Sequence, residues 1–429
     1  MHLPSHRHPT LFIAVVALVA TACASPAPSA SPSPSASPAP STAPSGAASP
    51  SPSGSGSLDA VYAEINEQVR AIRGLDEKKP VVPTIASPEE LAQVIQKSFD
   101  EDYPAEQVAA DEALYKGLGL LPQDAKLDDV FVDLLESQVA GLYDPVSDSL
   151  YVVSKEGGVG AVEKVYYSHE YDHALQDQHF DLEAIQEGLE DQSDRLLARQ
   201  SLVEGDAYVL MTYWLQQNLT PAEVGEVIQA SADPETQAAL NRIPQIVQAQ
   251  ILFPAMQGTQ FVLGMQIADG WEGVDRAFSD LPDSTEQVLH AEKYASGEAP
   301  VEVDLPDDLA SRMGSGWSVA LENTFGEYQT SIFLGAPTVA AATDGAAGWG
   351  GDRITMLTGP DGAWAIAWRT AWDTADDAAE FEVTAKDAVA NAGGPGSVLP
   401  GEGGTTRWVV IGSDDAALGS VANALGLAG

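Results

Sequence analysis

The sequence predicts a helix-rich α+β fold that closes with a small C-terminal α/β unit. Three observations carry this reading. Between Leu58 and Phe278 most segments repeat their apolar residues at helical spacing. One stretch in that region, Gly141 to Lys155, switches to a strand-like pattern. After residue 336, short β-branched and aromatic segments alternate with helical ones, the pattern of a small sheet that carries helices.

Taken in order, residues 1–22 read as an export signal. Arg7 and nearby histidines precede TLFIAVVALVA, an apolar run too short for a transmembrane helix. It ends at Ala20-Thr21-Ala22-Cys23, similar to a bacterial lipobox with Ala20 in place of the usual Leu or Val. Cys23 is the only cysteine, so an intramolecular disulfide is excluded. Its place at the signal boundary makes it the expected lipid acceptor of a membrane-anchored lipoprotein; ordinary secretion with cleavage near Ala22 is the alternative. Residues 23–57 are almost wholly Ser, Pro, Ala and Gly and cannot form a core. At about 3.1 Å per residue this tether could reach up to roughly 100 Å from a membrane.

Four amphipathic helices follow: LDAVYAEINEQVRAIRGL, SPEELAQVIQKSFDEDY, AEQVAADEALYKGLGLL and LDDVFVDLLESQVA. Ser87 and Glu90 form a capping-box pattern at the start of the second. GLYD and SLYVVSK then read as a hairpin joined by PVSD. A strand pair just before a metal-binding helix is positioned to hold extended substrate backbone by strand addition, or to serve structure alone.

The stretch VEKVYYSHEYDHALQDQHFDL carries the chemistry. It holds an H-E-x-x-H motif, His169 to His173, on a predicted helix. Residues four apart lie on one helix face, so both imidazoles can reach one metal ion. Glu170 sits about 100° round, able to act on a metal-bound water without being a ligand. Two neutral nitrogen ligands, an open position and an adjacent carboxylate base are what a zinc hydrolase requires. Val162, Val165, Tyr166, His169 and His173 share one stripe.

Two residues compete for the third ligand. His179 has the spacing of the metzincin H-E-x-x-H-x-x-G-x-x-H pattern, but Gln176 stands where that pattern breaks the helix with glycine. Glu204 lies in LARQSLVEGDAYVLMTYW, an apolar helix where a bare carboxylate is costly unless paired or ligating. Glu204 is the expected ligand. Asp177, Asp206 and Tyr208 are candidates to support the ligands from behind.

NLTPAEVGEVIQA, NRIPQIVQAQILFPAM and FVLGMQIADGWEGVDRAF are helical in pattern, and DSTEQVLHAEKY offers His290 and Tyr294 as candidate oxyanion stabilisers. From 336 to 429 the expectation is a β-β-α-β-α unit after a Gly/Ala-rich entry, with two strands joined at Gly359-Pro360-Asp361-Gly362. The formal charge of −43, from 20 basic and 63 acidic residues, argues against nucleic acid or an anionic surface as partner.

The motifs GLYDPVSDSLYVV, HEYDHALQDQHFDL and LVEGDA, with FPAMQGTQFV, STEQVLHAEKY and GWGGDR after them, carry a resemblance. The chain resembles zincin-like metallopeptidases of the gluzincin branch. It is most similar to a family of secreted bacterial and archaeal proteins and lipoproteins with a YDP hairpin, an HELTHALQDQHFDL-like helix and an LVEGDA helix. It departs in having Tyr171-Asp172 where that pattern has Leu-Thr, neither of them a ligand position. The resemblance implies a zincin-like domain over 58–335 and a Zn²⁺-dependent peptidase. His169, His173 and Glu204 would hold the metal, and Glu170 would assist attack of the zinc-bound water on a peptide or protein substrate. The alternative is a non-catalytic envelope binding or adhesion lipoprotein on the same scaffold. Contact with the membrane is expected through the lipid anchor only.

Overall fold

Apolar residues at helical spacing build the first half of the molecule. Helix α1 (Leu58–Arg73) buries Tyr62, Ile65 and Val69, and places Arg73 on the same stripe. Helix α2 (Pro88–Asp102) starts at the Ser87–Glu90 capping box, and α3 (Ala105–Leu118) stops at Gly119, whose φ of 79° only glycine adopts readily. The computed structural model describes residues 58–130, 141–153, 159–234, 238, 240–336 and 343–427. The expected export signal, the tether with Cys23, most of LDDVFVDLLESQVA, the Ser154-Lys155 end of the hairpin and part of the Gly/Ala-rich entry lie outside the described residues. No helix among the described residues is long and apolar enough to cross a membrane.

The hairpin pairs β2 (Gly141–Asp144) with β3 (Ser149–Val153), antiparallel and with Tyr143 opposite Leu150. Asp144 caps the turn through the Val146 N–H at 3.0 Å, and Asp148 takes a positive φ of 52° there. A short strand that the sequence reading did not anticipate, β1 (Thr84–Ala86), adds in parallel to the far side of β3. The order β1-β3-β2 leaves β2 as an edge.

Helix α4 (Ala161–Phe180) follows and is buried on almost every side from Tyr167 to Gln176. The apolar stripe read from the sequence is thus only part of the surface that α4 buries. The short α5 (Leu182–Gln186) turns the chain into α6 (Ser193–Asn218), which packs along α4. Helix α7 (Pro221–Ser231) opens with a second capping box at Thr220. NRIPQIVQAQILFPAM and the start of FVLGMQIADG then form one helix, α8 (Gln245–Asp269), that runs through Pro254 and breaks instead at Gly270, before α9 (Trp271–Ala277). Helices α6 and α8 meet at paired glycines. A Cβ on Gly205 would lie 2.2 Å from the Gly258 carbonyl oxygen, and one on Gly258 would lie 2.1 Å from that of Ser201.

The second sheet has the order β4-β5-β6-β8-β7 with every neighbour antiparallel. Its strands are β4 (Ser318–Asn323), β5 (Trp349–Thr358), β6 (Trp364–Trp372), β7 (Gly396–Pro400) and β8 (Thr406–Gly412). Helix α10 (Gly326–Phe333) follows β4, α11 (Ala375–Val389) follows β6 and α12 (Asp415–Ala424) closes the chain. The sheet holds two strands more than the expected β-β-α-β-α order. Strand β4 lies before 336, and β7 was not anticipated. The unit is not walled off, because Leu114 and Tyr115 of α3, Phe253 of α8, and Ile366 and Trp368 of the sheet share one core. Buried Asp352 fastens the joint. It accepts from the backbone N–H groups of Phe325 and Gly326 and from the indoles of Trp349 and Trp368, at 2.8–3.2 Å. The architecture is α+β, dominated by helix, with two small sheets.

Candidate metal centre

Packing of α4 on α6 brings three of the sequence-predicted residues together. His169 Nε2 lies 3.4 Å from Glu204 Oε2, His173 Nε2 lies 3.6 Å from Glu204 Oε1, and the two imidazole Nε2 atoms are 3.0 Å apart. Ligands about 2.0–2.1 Å from one ion at tetrahedral angles lie about 3.3–3.4 Å from each other. The three separations bracket that value. Among the described residues, no fourth histidine, cysteine or carboxylate joins this group.

Charge and proton placement decide whether a cation fits. Burial pushes His169 down to about 3, with the Ala207 backbone pulling the other way. Burial likewise pushes His173 down to about 4, against the attraction of Glu204. Both rings are therefore neutral at pH 7, and their approach to Glu204 is no ion pair. The His173 tautomer is set by Gln176. The Gln176 amide nitrogen faces three acceptors: Asp206 Oδ2 at 2.9 Å, the Val203 carbonyl at 3.0 Å and Asp172 Oδ2 at 3.4 Å. Its oxygen must then turn to His173 Nδ1, 2.9 Å away, which donates to it. The proton sits on Nδ1, so Nε2 presents a lone pair toward the second imidazole and a carboxylate. A cation satisfies all three at once, and the donor set of two imidazoles and one carboxylate suits zinc.

Glu170 stands beside this group and is 1 % exposed. Its Oε2 accepts the Tyr143 backbone N–H of the β2 edge at 2.8 Å, while Oε1 has no partner among the described residues. Burial first and the Glu204 charge second raise Glu170 to about 8, against the Tyr143 hydrogen bond. Gly141 lets the strand come this close, since a Cβ there would lie 3.1 Å from Glu170 Cγ.

The remaining candidates fall as follows. His179 ends α4, which continues unbroken to Phe180, and its Nε2 contacts the Asp76 carbonyl at 2.8 Å, away from the cluster. Asp177 accepts from the Tyr143 hydroxyl at 2.7 Å and the Leu182 N–H at 3.0 Å, so it anchors the hairpin, and Gln176 takes the place expected of it behind His173. Asp206 is bound by Arg73 and Gln176. The Tyr208 ring meets that of His169 edge-on at 4.8 Å. His290 pairs with Glu327 at 3.0 Å, and the Tyr294 hydroxyl donates to the Asp280 carbonyl at 2.7 Å, so their bonds lie outside the cluster. Arg73, Gln176 and the Tyr143 N–H were missed. Arg73 carried a signal, a charged residue on the apolar stripe of α1. A second acidic group, Glu286, Glu298 and Asp373, is already occupied by the Lys293 ammonium at 2.7 Å from each.

Residues 317–421 are similar to a family described as a domain of unknown function (DUF8575). That span coincides with the second sheet and most of its helices and excludes α4 and α6. No curated protein and no solved structure matches the chain.

Proposed function

We propose that the protein is an extracytoplasmic zinc-dependent metallopeptidase of zincin-like, gluzincin type, held to a membrane by lipid on Cys23. The observation that supports this best is the three-ligand group itself. His169, His173 and Glu204 converge at tetrahedral spacing with no fourth side-chain ligand among the described residues, which is the pattern of catalytic rather than structural zinc. Zn²⁺ bound there would polarise a substrate carbonyl and lower the pKa of a water toward about 7. The chain's own residues do the rest. The Tyr143 N–H fixes one oxygen of Glu170, leaving Oε1 to take a proton from the attacking water and return it to the leaving amine. Strand β2 ends the first sheet among the described strands and brings its Tyr143 N–H to this carboxylate, so strand addition there would set an extended peptide beside Glu170.

A second reading has an observation in its favour. The Glu204 side chain is 9 % exposed and that of His173 is 4 % exposed, so the centre is nearly shut. That suits a binding or adhesion module in which zinc is structural. A peptide-library digest separates the two. The peptidase reading expects chelator-sensitive cleavage that Glu170→Gln abolishes while zinc is kept. Zinc-loaded protein without cleavage, or a Glu170→Gln variant as active as wild type, sinks it.

A further inference from the structure

We propose that Arg73, at the end of α1, is a positioning residue for His173, acting through Asp206 and Gln176. The inference rests on reading His169, His173 and Glu204 as a metal centre. The chain of contacts is continuous and buried. Arg73 is 0 % exposed. Its Nε and one terminal nitrogen donate to the two oxygens of Asp206 at 2.8 and 3.0 Å. Asp206 Oδ2 accepts from Gln176 Nε2 at 2.9 Å, and Gln176 Oε1 accepts from His173 Nδ1 at 2.9 Å. Every link has a fixed direction. A guanidinium only donates and a carboxylate only accepts, so Gln176 must show its nitrogen to Asp206 and its oxygen to His173. The protein thereby commits the His173 proton to Nδ1.

Arg73 is itself held on three sides. A terminal nitrogen pairs with Asp275 at 2.7 Å, the guanidinium lies 4.8 Å from the Trp271 ring centroid, and Asp172 contributes further negative charge. Without the guanidinium, the Asp206 carboxylate loses the two hydrogen bonds that fix its plane and is free to turn away from Gln176. An unanchored carboxylate no longer pins the Gln176 amide nitrogen, so the amide can turn over. The amide nitrogen would then face His173 Nδ1, moving the proton to Nε2 and blocking the ligand atom. Helix α1 is thus part of the centre rather than a detachable leading segment.

The test uses the intact secreted chain and two readouts. Nitrogen-detected NMR of the histidine rings in zinc-free protein reports the His173 tautomer, and competition with a chromophoric chelator reports zinc affinity. Wild type should show the Nδ1–H form. Arg73→Met and Gln176→Met should each mix the tautomers and weaken zinc about 10–100-fold, and the double variant should be little worse than either single one. Arg73→Lys, which keeps the charge, should restore most of the affinity and also serves if Arg73→Met does not fold. A folded Arg73→Met with lowered melting temperature but wild-type tautomer and zinc affinity would make Arg73 merely structural and overturn the proposal. Failure of wild type itself to bind zinc would instead overturn the metal centre, and the tautomer comparison would still judge the relay.

Discussion

Gly141 sets how closely the hairpin approaches the general base. Its backbone needs no special φ, so alanine costs nothing locally, but the added methyl meets Glu170 Cγ at 3.1 Å and the Tyr151 carbonyl oxygen at 3.3 Å. Gly141→Ala is therefore expected to shift Glu170 by a few tenths of an ångström. A displacement of that kind lowers peptide turnover about tenfold or more while zinc content and melting temperature stay near wild type. Steady-state kinetics beside metal analysis checks it, and unchanged kcat would show that the contact is slack. Motif spacing made His169, Glu170 and His173 legible because all three sit within five residues of one helix. The role of Gln176 was not legible. Its three acceptors include Val203 and Asp206, about thirty residues on, and their direction depends on Arg73, about a hundred residues back.

At the scale of elements, the seam between α6 and α8 places Glu204. Gly205 follows Glu204 directly and lies against the Gly258 carbonyl, so the helices are as close as backbone allows. Gly205→Ala forces them apart, and overpacking of this kind costs about 1–3 kcal/mol. The expected outcome is a melting temperature several degrees lower and weaker zinc binding, because the carboxylate moves with its helix. Thermal unfolding with and without zinc measures both effects, and a variant as stable as wild type would contradict the packing described. The long helices and the hairpin were legible from periodicity. Strands β1 and β7 were not, since TIA is only three residues long and GSVLP begins with glycine and ends with proline, residues that signal turns. Strand β4 was missed because SVALEN exposes its first three residues, and its pairing partner lies beyond α10.

For the whole molecule, charge decides stability. Burial lifts Asp111 to about 6 and Asp194 to about 7 from an ordinary value of 3.8, and Glu286 to about 7 from 4.5. The folded state thus holds protons that the unfolded chain has already released. Stability contributed by these groups is greatest below about pH 4 and falls as pH climbs through the window up to about 7. With a formal charge of −43 adding self-repulsion, the zinc-free protein should be more stable near pH 5.5 than at pH 8, although His169 and His173, which burial holds neutral, pull the other way below about pH 6.5 and offset part of the gain, and salt should narrow the gap. Melting temperatures that are level or rising across that range would contradict this. The same scale shows what composition leaves out: it marks where glycine and alanine gather near 336, whereas the core that joins α3, α8 and the second sheet has no sequence signature. The central claim, that His169, His173 and Glu204 form one zinc centre, is tested most directly by zinc stoichiometry in the purified chain. One zinc per chain is predicted for wild type and for His179→Ala, and none for Glu204→Ala. Zinc retained by Glu204→Ala, or lost by His179→Ala, would contradict it.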